Sequence, residues 1–259
     1  MSGEGLSGGG AFLALTAREW RRFVRQPSRV LSAFLTAGLF WVFLGSGLAR
    51  VDGIVGVGGT GGAGYSAYLV PGVAMMVVMF STVFASIGLI QDRAAGFLSG
   101  ALVSPAPMWS IAGSKAVAGG LLAGGQGALV LGGVYLVGPG PGLFGFVLAC
   151  SVMVLAGIGV CGVGLSLAWR MSSVSGFHGV MNGVLLPMWA LSGALFPAGA
   201  SAGWVSLLMG VNPLAWAHRS AAGALGVGPA ASWWEPLGVA TFAVVALAGA
   251  VMTMDRRVG

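Results

Sequence analysis

Residues 68–90 read YLVPGVAMMVVMFSTVFASIGLI, and residues 91–115 continue QDRAAGFLSGALVSPAPMWSIAGSK. The first segment carries no charge and, at about 1.5 Å per helical residue, is long enough for a hydrocarbon core of about 30 Å. The second is short, polar and turn-rich. Gly96 breaks the helix after Gln91-Asp92-Arg93, Phe97-Leu98 supplies an apolar pair, and Ser104-Pro105-Ala106-Pro107 makes a stiff turn. Asp92, Arg93 and Lys115 are the only charges between Asp52 and Arg170. An apolar helix that ends in a compact polar segment and then re-enters apolar sequence is a lever with its handle in water. A short helix with an apolar knob is suited to docking in a partner's groove, although an ordinary interhelical loop has the same composition.

The rest of the chain is of the same kind. Of its 259 residues 57% are hydrophobic and 7% charged, against about 25% charged in a soluble domain. So few charges cannot cover a water-soluble surface, and the chain reads as an all-α polytopic membrane protein. A net charge of +6 on a soluble domain would suggest nucleic acid. Here the charges stand at the ends of apolar runs, so orientation in the bilayer explains them and no nucleic-acid partner is expected.

Residues 1–10 are rich in Gly and Ser and are expected to be disordered. Residues 11–29 follow as an interfacial helix. Arg18, Arg22, Arg25 and Arg29 recur on one face and Leu13, Ala17, Trp20 and Val24 on the other. The basic face would meet anionic headgroups, with Trp20 at headgroup level. The same residues also fit a plain basic flank of the first span. Pro27 ends or kinks this helix. From residue 30 onward six apolar runs are expected to span, near 30–49, 67–90, 111–137, 143–169, 180–196 and 236–254. Small-xxx-small pairs such as Gly120 and Gly124 suit close helix approach in lipid, but are too frequent here to assign one contact. Arginine and lysine divide ten to two: Arg18, Arg21, Arg22, Arg25, Arg29, Arg93, Lys115, Arg170, Arg256 and Arg257 against Arg50 and Arg219. That asymmetry predicts both termini in the cytoplasm. Residues 197–234 are too apolar for a free loop and too broken by Gly and Pro for a span. A helical pair dipping into the outer leaflet fits them.

Several chemistries are missing from the sequence. There is no phosphate loop, since Gly113-Ser114-Lys115 is followed by Ala116. His178 and His218 are isolated and expected as polar loop residues, and no metal ligand set is visible. Cys150 and Cys161 lie about 16 Å apart along one helix, too far for a disulfide. The expected spans hold no mid-membrane Asp, Glu, Lys or Arg, which argues against an ion-coupled carrier. If the protein moves something uphill, the energy must enter from elsewhere.

Three motifs remain besides the connector: Tyr-Leu-Val-Pro-Gly at Tyr68, Leu-Ser-Gly-Ala-Leu-Phe-Pro at Leu191, and Asn-Pro-Leu-Ala-Trp at Asn212. Together with Asp-Arg-Ala-Ala-Gly-Phe-Leu at Asp92, Ser-Pro-Ala-Pro at Ser104 and Gly-Ser-Lys at Gly113, in this order, they resemble the permease subunit of ABC-2 type ATP-binding-cassette exporters, in the daunorubicin-resistance branch. The resemblance covers nearly the whole chain, from about Leu13 to Met254. It departs from the family at Ser99-Gly100, where a glutamate is common, and after Asn-Pro-Leu, where an aspartate and a later arginine are common.

The resemblance implies six transmembrane helices in residues 30–259, preceded by the interfacial helix. It also implies a cytosolic coupling helix over Asp92–Pro107 and a re-entrant helical pair over Pro197–Trp234. The subunit itself would be non-catalytic and hold no cofactor. Two ATPase subunits would bind ATP and Mg, and a second permease, most simply an identical copy, would complete the path. It further implies that Asp92, Arg93, Gly96, Phe97, Pro105, Trp20 and Arg22 couple the chain to the ATPase. The expected substrate path runs past Phe34, Met75, Met79, Pro187 and Trp189. These are apolar and aromatic residues, suited to an amphipathic drug or a lipid-like molecule. Two other classes stay open: a membrane scaffold that moves nothing, and a lipid-modifying enzyme.

Overall fold

The computed structural model describes residues 8–25, 27–47, 64–96, 107–137 and 140–255, and every regular element among them is helical. Helix α1 is Gly8–Val24. It begins inside the glycine-rich stretch that composition assigns to disorder. Tertiary packing overrides propensity there: a side chain on Gly8 would stand 2.7 Å from the Trp109 ring, and Phe12 stacks on that ring at 6.3 Å. Helix α2, Pro27–Gly47, starts on its proline, which lacks the N–H that a first helical position leaves unpaired anyway.

Helix α3, Gly64–Ala94, is the post of the bundle. Nearly every side chain from Tyr65 to Asp92 is buried, so it is the innermost helix. Gly96, with φ of +74°, ends it in the left-handed conformation that favours glycine. Helix α4 is Met108–Leu131, extended by a turn at Val134–Val137, and α5 is Leu143–Arg170. Helix α6, Val174–Trp189, starts six residues before the apolar run expected at residue 180. Ser173 caps it, its side chain accepting from the Gly176 amide at 3.2 Å. It runs through Pro187 into a wide π-type turn, Ala190–Ala194. A short 3-10 turn, Ala198–Ala200, leads to α7, Gly203–Val211, and α8, Pro213–Ala224. Helix α9 is Trp234–Asp255.

Among the described residues, four helices are long and apolar enough to cross a membrane: α3, α4 with its extra turn, α5 and α9. In α2 the apolar stretch is shorter, Leu31–Gly47. Helix α5 packs on α3, α4 and α9, α4 also packs on α3 and α9, and α1 lies against α4. The α4–α5 seam is made by the Gly120/Gly124 pair, to which sequence could assign no contact. A Cβ on Gly120 would lie 2.6 Å from the Ile158 backbone nitrogen, and one on Gly124 would lie 2.6 Å from Val154 Cα. Only glycine permits that approach.

Candidate functional site

At one end of the bundle α1 crosses the last turn of α3 and the second turn of α4, and five charged side chains meet. Arg18, Glu19 and Arg22 come from α1, Asp92 from α3 and Lys115 from α4. Arg22 Nη1 donates to Asp92 Oδ1 at 2.7 Å, and Lys115 Nζ donates to Asp92 Oδ2 at 2.5 Å and to Glu19 Oε1 at 2.8 Å. Arg18 donates to Glu19 Oε1 at 3.0 Å and reaches Asp92 Oδ1 at 3.5 Å, while Arg22 Nη2 donates to Gln91 at 3.1 Å. The Asp92 and Lys115 side chains are 5% and 6% exposed. Water cannot solvate charges so enclosed, so each must be met by an opposite charge. Three cations face two carboxylates, and the cluster bolts α1 onto the joint from which the α3–α4 connector leaves.

The residues expected to couple the chain are thus placed differently from one another. Asp92 and Arg22 are bonded to each other, inside the chain. Arg93 turns the other way, donating to the carbonyls of Trp169 at 2.8 Å, Ala168 at 3.0 Å and Met171, and lying over the Trp169 ring. It caps carbonyls at the end of α5, of which Ala168 also accepts from the Met171 amide at 3.2 Å. Trp20 is half exposed on the outer flank of α1, and Gly96 is exposed just beyond α3. Phe97 and Pro105 lie outside the described residues. The sequence reading missed Glu19 and counted Lys115 as a loop charge, whereas it is buried within α4. One signal was available: Glu19 is the only acid in a run otherwise holding arginines.

At the opposite end of α3 the three remaining motifs converge. Tyr65 donates to the Leu195 carbonyl at 2.7 Å and Tyr68 to the Gly193 carbonyl. Trp189 Nε1 donates to the Gly72 carbonyl at 2.8 Å, and Asn212 Nδ2 donates to Met188 at 2.6 Å and Leu191 at 3.2 Å. The wide turn after Pro187 exposes backbone carbonyls that the helix no longer satisfies, and Tyr65, Tyr68 and Asn212 meet them, while Trp189 reaches back to α3. Gly193, at φ of +91°, closes the turn against His218. His218 is buried, not the polar loop residue expected from sequence, and its ring meets Tyr68 edge-on at 5.7 Å. Nearby, Arg219 pairs with Glu235, which also accepts from the Ser232 amide at 2.9 Å.

Asn212 is the hinge pin of this end. Its Oδ1 also accepts from the Leu214 amide at 3.0 Å, capping α8. Asn212→Ala removes that cap, about 1 kcal/mol, and two interhelical bonds of about 0.6 kcal/mol each in a membrane setting. The expected result is a clear fall in thermal midpoint in detergent, whereas Asn182→Ala, on an exposed position of α6, leaves it unchanged.

The residues expected along a substrate path are not gathered in one cavity. Phe34 lines an apolar groove of about 360 Å³ with Ala37, Trp41, Val70, Val73 and Leu129. Met75 and Met79 are packed into the core, Trp189 is buried with its ring edge on Phe40 at 6.0 Å, and Pro187 is exposed. Among the described residues no three His, Cys, Asp or Glu side chains are grouped to hold a metal ion.

A comparison with curated proteins finds no match. The model of the ABC-2 type transporter family matches residues 10–225. That range takes in nearly all of α1, the ion cluster, the α3–α4 connector and the motifs gathered at the opposite end of α3 up to α8, and with the apolar helices it identifies a multi-pass, membrane-embedded transporter domain: the chain belongs to the ABC-2 type transporter family.

Proposed function

We propose that the chain is the permease subunit of an ATP-driven exporter, spanning the membrane six times through α2, α3, α4, α5, α6 with its wide turn, and α9, with both termini in the cytoplasm. Helices α7 and α8 are then the re-entrant pair; at 9 and 12 residues neither is long enough to span. Two such subunits, most simply identical and of the daunorubicin-resistance branch, work with two separate ATPase subunits that hold ATP and Mg. The cargo is an amphipathic small molecule or a lipid-like one, in keeping with multidrug efflux. Phe34 and the groove around it belong to the path, and Met75 and Met79 join it only when the helices move apart.

The observation that carries this reading is the ion cluster at the root of the α3–α4 connector. ATP-driven closure of the ATPase pair pushes on the connector, where Phe97 and Pro105 make the contact. Asp92, Arg22 and Lys115 hold α1, α3 and α4 together there, so the push moves them as one body. From Asp92 to Tyr68 α3 runs about 36 Å, and at its far end Tyr65 and Tyr68 hold the wide turn and, through it, α7 and α8. Asp92 and Arg22 therefore transmit the push and do not touch the ATPase, and Arg93 ties α5 to the same rod.

The test is ATP hydrolysis by the partner ATPase purified with this chain in lipid. Phe97→Asp should lower stimulated hydrolysis at least tenfold or dissociate the complex, while the permease keeps its elution volume. An unchanged rate with the complex intact would remove the connector from the coupling path and favour a scaffold role.

A further inference from the structure

Helix α1 carries a second basic feature that the ion cluster does not use up. Arg18, Arg21, Arg22 and Arg25 line an open recess of about 510 Å³. Arg18 and Arg22 are turned toward Glu19 and Asp92. Arg21 and Arg25 are exposed. Arg21 donates to its own helix at the Ala17 carbonyl, and neither joins an ion pair among the described residues. With Lys115 there are five cations here against two carboxylates, a local surplus of three positive charges. A recess with that surplus is built to receive an anion.

What the anion is attached to follows from its surroundings. Arg22 also borders a shallow cleft of about 40 Å³ between α1, α3 and α4, walled by Phe23, Phe84, Ala85 and Leu122, with Glu19 and Lys115 at its charged end. The cleft shares Arg22 with the recess, so a ligand at the arginines has the apolar side chains Phe23, Phe84 and Leu122 close by. On the outer flank of α1, Leu13 is 68% and Trp20 49% exposed, as for a helix resting at a membrane interface. We propose that α1, with the adjoining turns of α3 and α4, binds an anionic phospholipid. Its phosphate sits on Arg21 and Arg25 with Arg22 at the side, and one acyl chain lies along the cleft toward Phe84. The cleft is too shallow to enclose a chain, so selectivity resides in the headgroup. A lipid held there touches the same three helices as the ion cluster, which makes the composition of that leaflet an input to the coupling joint.

The experiment uses the full chain in nanodiscs of phosphatidylcholine with a minor share of phosphatidylglycerol bearing the same acyl chains. Native mass spectrometry then counts the lipids retained on the released protein. Phosphatidylglycerol should be enriched about thirtyfold over its share, the scale expected for two arginines at an anionic headgroup. The double variant Arg21→Gln/Arg25→Gln should return the ratio to that of the nanodisc. Both positions are exposed, so it should elute as the unaltered protein does. Ala85→Leu narrows the cleft without changing charge and should lower retention several-fold, while Arg170→Gln, an exposed arginine elsewhere, should not. Three results overturn the proposal. One is equal retention of the two lipids. A second is displacement by soluble glycerol phosphate with no effect of Ala85→Leu, which makes the recess a site for free phosphate esters. The third is a double variant that keeps its lipid but no longer binds the ATPase, which makes the arginines a protein-docking face.

Discussion

Asp92→Ala should be the most damaging single substitution in the described part of the chain. It removes the carboxylate that accepts from Arg22 and Lys115 and stands near Arg18, and it leaves Lys115 enclosed with only Glu19 to meet it. Removing one partner from a buried ion pair costs about 3–5 kcal/mol, a large share of a typical domain's stability of about 5–15 kcal/mol. The expected outcome is loss of folded protein on size exclusion or a steep fall in thermal midpoint. The damage comes from stranded cations, so Asp92→Ala combined with Lys115→Met should recover a good part of it. If the double variant is no better than the single one, the charges are not coupled as drawn. The transport reading adds a separate expectation. A recovered double variant that folds but has lost ATPase stimulation would show the cluster acting as a joint beyond its part in folding.

The second large effect is expected at the α4–α5 seam. Gly120→Ala with Gly124→Ala places two methyl groups within 2.7 Å of Ile158 and Val154 backbone atoms. Backbone cannot rotate away as a side chain can, so the helices must separate along the length of the seam. Overpacking costs about 1–3 kcal/mol per site, and the two sites lie one turn apart, so the pair should destabilise the bundle by about 2–6 kcal/mol. Gly125→Ala is the matching control. A side chain there meets nothing within 4 Å, and replacing helical glycine by alanine gains about 0.5–1 kcal/mol. Thermal unfolding of the variants in one detergent separates the cases. Similar midpoints for Gly125→Ala and the seam variant would mean the helices do not meet as described.

Much of this molecule is legible without coordinates because in a membrane the local rules are severe. Lipid offers no hydrogen bonds, so an apolar run of sufficient length must be helix, and α3, α4, α5 and α9 follow directly from hydropathy. The breaks at Pro27 and Gly96 are equally local, set by a missing N–H and by a left-handed φ. The family motifs too stand in the sequence, and their order sufficed to suggest the ABC-2 resemblance.

What sequence could not supply was which of these pieces touch. Asp92 and Lys115 read as charges of a watery handle, because sequence shows a charge without its partner. Only the fold brings Glu19, more than seventy residues before Asp92, close enough to make burial tolerable. Tyr68, Gly193 and Asn212 read as three separate motifs, and are one structure because the wide turn after Pro187 leaves carbonyls that distant side chains must satisfy. Glycines occur throughout the spans, but the helix pairing chooses Gly120 and Gly124 for the seam and leaves Gly125 on the outside. Helix formation depends on each segment and its solvent, so the sequence determined it alone. Charge pairing, carbonyl capping and close approach depend on two segments at once, and only the tertiary structure decided them.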